Sequence, residues 1–131
     1  MKRKASLILP CFSLSFALLA TGCGRFKKPS TVVHSLYMDC QNGEYPKARN
    51  LFIKDIREDF DGAVTSNGPG IKGACDRLTH SGTLTRVDVQ YEFIKGDQAI
   101  VVSDLSFQND TVKQGERTQL IREDGAWKVS R

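Results

Sequence analysis

The 131 residues contain no Cys-x-x-Cys, only two histidines and a single tryptophan. Without that cysteine spacing there is neither a zinc knuckle nor a thioredoxin-type redox site. The loop Asn67-Gly68-Pro69-Gly70 lacks the Lys-Ser/Thr pair that completes a phosphate-binding P-loop. No nucleophile elbow and no Ser-His-Asp order occurs, and there is no internal repeat or low-complexity tract. No apolar run reaches the ~20 residues a spanning helix needs. Ala5–Ala20 comes nearest and is interrupted by Pro10 and serines. Basic character is local too. The chain has 19 basic and 15 acidic residues, a net +4. Lys2, Arg3, Lys4, Arg25, Lys27 and Lys28 all precede the first acid, so from Pro29 onward 13 cations face 15 anions, a net −2. The high pI is therefore no argument for nucleic-acid binding.

What is present begins with Lys2-Arg3-Lys4, a positive segment, followed by the uncharged Ala5–Ala20 and a small-residue boundary. This is the layout of a secretory signal. It ends in Leu18-Leu19-Ala20-Thr21-Gly22-Cys23, which resembles the lipobox of bacterial lipoproteins. The alternatives are an incidental cysteine beside an ordinary cleavage site and an uncleaved anchor. The resemblance implies a signal peptide over 1–22 and a diacylglyceryl thioether on Cys23, often with a third acyl chain on its amine. It also implies a lipid-anchored extracytoplasmic location. In a Gram-negative host Gly24, which is not the retaining Asp, points to the outer membrane, facing the periplasm. Residues 23–28 then form a short basic tether whose cations suit anionic headgroups.

Once Cys11 leaves with the signal and Cys23 is lipidated, Cys40 and Cys75 remain. In an oxidising compartment such a pair is expected to form a disulfide, the alternative being two buried thiols. From Pro29 the apolar spacing is helical. Val32, Val33, Leu36, Tyr37 and Cys40 make one face, with Ser30 or Thr31 a candidate N-cap. A second helix runs from Glu44-Tyr45-Pro46 through Ala48, Leu51, Phe52, Ile56 and Phe60, and a third, weakened by Gly73, covers Ile71 to Thr79. From Gly82 the period becomes two. Val87, Val89, Tyr91 and Phe93 predict the inward side of one strand; Ala99, Val101, Ser103, Leu105 and Phe107 predict that of the next. Asn109–Gly115 reads as a polar loop. Arg117–Arg122 and Ala126–Val129 then read as strands joined by an Asp124-Gly125 hairpin.

Helices followed by an antiparallel meander predict an α+β fold with helices on one face of a sheet. Gly82–Val89, the stretch GDQAIVVSDLSF and the closing ERTQLIREDGAWKVS resemble the DUF4878-like extracytoplasmic lipoprotein domains of the NTF2-like (cystatin-like) superfamily. Tyr45-Pro46-x-Ala48 fits that group's early helix. The resemblance covers residues 29–131. It implies three N-terminal helices on a curved sheet of about four strands, forming a cone that can enclose a pocket.

Some relatives in that superfamily are enzymes that use an Asp, His or Tyr inside the cone. Here His34 and His80 have no partner that the sequence can place, and Asp104 shares its strand face with Ile100 and Val102. Tyr37, Tyr91, Phe93 and Trp127 are the aromatics expected to point inward, either packing the core or lining a pocket. No catalytic residue, metal or cofactor is implied. The expected role is a non-enzymatic envelope module that binds a small ligand or a protein partner. The alternative is a small lyase, isomerase or hydrolase.

Overall fold

The computed structural model describes residues 27–65 and 69–131, so the signal segment, Cys23 and residues 66–68 lie outside the described residues. Four helices precede four strands: α1 (Pro29–Gln41), α2 (Tyr45–Asn50), α3 (Lys54–Thr65), α4 (Gly70–Leu78), β1 (Leu84–Lys95), β2 (Gln98–Phe107), β3 (Val112–Glu123) and β4 (Ala126–Val129). The strands form one antiparallel sheet in the order β1-β2-β3-β4.

The core lies between one sheet face and the helices. Val32, Val33, Leu36, Tyr37 and Cys40 of α1 pack on Ala99, Val101, Leu105 and Phe107 of β2, Leu120 of β3, and Trp127 and Val129 of β4. Cys40 and Cys75 are bonded, tying α1 to α4 with Cα atoms 4.9 Å apart. Asp124 and Gly125 both take positive φ, 51° and 78°, as a two-residue hairpin turn demands.

Four expectations change. The expected second helix is two, α2 and α3, because the backbone of the link docks on the last strand. Val129 N–H donates to Leu51 O (2.8 Å) and Ile53 N–H to Val129 O (3.1 Å), and this bridge interrupts the helical ladder. The apolar stripe survives the break, since Ala48, Leu51, Phe52, Ile56 and Phe60 all still pack against the core. Secondly, neither Ser30 nor Thr31 caps α1. The helix starts at Pro29, and the Ser30 N–H donates to Glu92 Oε1 at 2.8 Å across to β1.

Thirdly, Tyr91 and Phe93 do not point inward; they are 60% and 59% exposed. A bulge at Gln90 causes this. Val89 pairs with Ser103 but Tyr91 pairs with Val102, so one extra residue reverses the facing of everything after it. Glu92 then shares the inner face with Val101, while Tyr91 and Phe93 join Val102 and Ile100 on the outer face. Fourthly, most of the expected Asn109–Gly115 loop is strand, because β3 begins at Val112 and Ser106 pairs with it. A further bulge absorbs the irregularity on β3, where the three steps from Lys113 to Glu116 face the two from Leu105 to Ser103 on β2. There Asp104 accepts the Gly115 N–H at 2.9 Å, which gives that carboxylate a structural partner.

Candidate functional site

The helices and the β3–β4 side of the sheet do not close completely. They leave a cleft of about 320 Å³ reached from α1, α3, α4 and β3. α1 contributes Leu36 and Tyr37 from its buried stripe, and the α2–α3 link contributes Phe52. α3 adds Phe60, whose ring meets Phe52 edge-on at a centroid distance of 5.1 Å. The broken helix thus places two aromatics against each other on the apolar wall.

The opposite side is polar. β3 supplies Glu116 and Thr118, α4 supplies Arg77, and Arg117 and Arg131 also border the opening. Tyr37 is the polar group set deepest, at 3% exposure. Burial pushes its phenol pKa above 10; the negative charge of Glu116 pushes it the same way, and a side-chain hydrogen bond with Thr118 opposes both. Tyr37 therefore stays protonated at neutral pH, an uncharged hydroxyl in a cleft that Arg77, Arg131 and Glu116 border. Such a surface can take an apolar body on the phenylalanines and an anionic or hydrogen-bonding head among the arginines.

The sequence-predicted aromatics do not converge. Only Tyr37 lines this cleft. Trp127 faces a separate recess with Lys27, Lys28, Pro29, Ile94, Arg122 and Gly125, where the Arg122 guanidinium lies 4.6 Å from its ring centroid. Phe93 borders a shallow groove on the outer sheet face beside Ile100 and Ile121, and Tyr91 stands outside all of these. His34 is exposed, and exposed His80 turns Nδ1 to Arg77 O at 2.7 Å. Among the described residues no three of His, Cys, Asp and Glu gather to hold a metal. Reading the sequence missed Glu116, Thr118 and Arg77. Glu116 lies outside the strand that periodicity predicts, and only strand register sets it on the inner face, opposite Ser103.

No family model matches the chain, and no curated protein does. Solved structures do share the fold. One, from Campylobacter jejuni, is provisionally described as an NTF2-like transpeptidase; it is 15% identical at a TM-score of 0.60, over 79% of this chain and 97% of that one. Another is a SEC-C motif containing protein from Rhodopseudomonas palustris, also 15% identical, at a TM-score of 0.58 over 79% of this chain and 75% of that one. At such identities the likeness is one of fold, which is α+β and NTF2-like.

Proposed function

We propose that this NTF2-like domain, of the DUF4878-like kind, belongs to a cell-envelope lipoprotein anchored through Cys23, and that it is a non-enzymatic module holding an amphipathic anionic ligand, or a partner segment of that character, in the cleft over Tyr37. The make-up of the cleft carries the binding half of this reading: phenylalanines on one wall, Arg77 and Arg131 with Glu116 on the other, and a protonated tyrosine at depth. Burying apolar surface contributes ~25 cal/mol per Å². The guanidinium fork matches a carboxylate or phosphate. The anchor half rests on the charged start, the apolar run and the position of Cys23.

Each half has its own test. For the cleft, the exported protein is titrated with a fluorescent fatty acid, and native mass spectrometry looks for a co-purifying amphiphile. Binding that weakens at least several-fold in Arg77→Ala and in Phe60→Ala supports the reading; equal binding by wild type and both variants overturns it. For the anchor, Cys23→Ser must abolish incorporation of labelled fatty acid and membrane retention.

The second reading is a small lyase, isomerase or hydrolase, favoured by one observation: a protonated phenol shares a cleft with the Glu116 carboxylate. It requires a substrate whose turnover is lost in Tyr37→Phe while binding persists. Transpeptidation, as named for the Campylobacter protein, finds no thiol nucleophile in Cys40 or Cys75, because the disulfide uses both.

A further inference from the structure

The geometry points to a membrane-contact surface at one corner of the domain: the Tyr91–Lys95 end of β1, together with Lys27 and Lys28, lies in the headgroup layer of the bilayer. This rests on the reading of Cys23 as a lipid anchor.

Among the described residues the large exposed apolar side chains are Val89, Tyr91, Phe93, Ile94 and Val112. Single exposed apolar residues are ordinary, whereas contiguous ones mark an interaction site. Tyr91, Phe93 and Ile94 fall within the last five residues of β1, the first two on the outer face and Ile94 on the inner, so they flank one end of the sheet's edge strand. They are also where the tether leaves the domain. The Ser30 N–H bonds to Glu92, so the first turn of α1 lies on the inner face of this strand end, where Lys27, Lys28 and Pro29 share a recess with Ile94 and Arg122, while Tyr91 and Phe93 stand on the outer face of the same edge.

Tether length decides the occupant. Residues 23–28 extend at most ~20 Å. β2 alone, with 10 residues, is about 33 Å long. An anchored Cys23 therefore holds this corner close to the bilayer, with Val112 and His80 at the opposite end of the sheet. The charges agree. Lys27, Lys28, Lys95 and Arg122 are cations of this corner; of its anions, Glu92 is bonded to the Ser30 N–H and Asp97 lies 3.9 Å from Arg122, leaving Asp124 at the neighbouring hairpin. Exposed aromatic and aliphatic side chains rimmed by lysine and arginine are the composition of interfacial membrane binding.

Hydroxyl-radical footprinting tests this on the exported protein reconstituted in vesicles containing one third anionic phospholipid, with the soluble Cys23→Ser chain as reference. Oxidation of Tyr91, Phe93 and Ile94 is expected to fall several-fold on vesicles, with Val112 and His80 unchanged. Equal oxidation of Tyr91 and Phe93 in the vesicle-bound and soluble forms overturns the proposal while leaving the anchor intact. Protection already present in the soluble chain at high concentration also overturns it, since a second copy would then be the occupant. If Cys23 proves to carry no lipid, the same footprint is taken with saturating vesicles: protection sustains the surface without the anchor, and its absence removes both.

Discussion

Tyr37 is where burial and chemistry meet in one side chain. Its folded pKa lies above the ordinary 10 through burial first and Glu116 second. The unfolded chain therefore loses the proton first as pH rises. The stabilisation is complete below pH 10 and drains away as pH climbs from 10 through the folded pKa. Tyr37→Phe should cost about 0.5–1.5 kcal/mol at neutral pH, through the lost Thr118 hydrogen bond, and that deficit should shrink or reverse in the alkaline range. Denaturant midpoints measured at pH 7 and pH 11 check the crossing. Trp127 is the second residue that matters by itself. It is 8% exposed and lies under the Arg122 guanidinium. Trp127→Ala should cost ~3–5 kcal/mol, and the native emission should be blue-shifted. A red-shifted spectrum with an unchanged melt would move Trp127 from the core to the ligand.

At the scale of elements, what was legible was whatever repeats at a fixed period. α1, α4, β2 and the Asp124-Gly125 hairpin lie where apolar spacing and turn chemistry set them, and the Cys40–Cys75 pair follows from two inward helical positions. What was not legible depends on partners distant in sequence. The break between α2 and α3 is made by Val129, almost eighty residues on, and the reversal at Gln90 is visible only in the pairing with β2. The cleft was legible only at Tyr37, because Glu116 and Arg77 have no pattern of their own until β3 and α4 approach each other. Gly73 shows how context inverts a propensity rule. In an exposed helix Gly→Ala gains up to about 1 kcal/mol. Here the added Cβ would sit 2.3 Å from Pro69 Cβ, inside contact distance of a ring that cannot swing away. Gly73→Ala should therefore destabilise, and Pro69→Gly, the one replacement that removes that Cβ, should relieve the clash, so that Gly73→Ala costs less on the Pro69→Gly background than alone; thermal melts of the two single variants and the double variant separate the effects.

For the whole molecule, the disulfide is a fastener placed entirely ahead of the sheet. Cys40 and Cys75 are 35 residues apart and both precede β1. On the chain-entropy account, closing that loop stabilises by about 3–4 kcal/mol, a large share of what a domain of this size has in total. Protein folded under oxidising conditions should show no alkylatable thiol at either position without reductant, and reduction should lower its melting temperature by well over 10 °C. Two free thiols in the unreduced protein would contradict the bond.

The two margins of the sheet are unequal. β4 is capped by the Leu51–Ile53 link, whose backbone bonds to Val129. Among the described residues β1 has no strand beyond it. A twelve-residue free edge carrying exposed aromatics is a template on which another chain can polymerise. The irregularity at Gln90 has a second consequence, unrelated to which face Tyr91 adopts. It interrupts the run of evenly spaced backbone donors and acceptors that an incoming strand would need. Deleting Gln90 should leave the domain folded, because the pairing on either side then joins in register. It should also shorten the lag before light scattering rises in concentrated solution. By that measure the extra residue serves solubility, at the one margin of the described sheet that no backbone link covers.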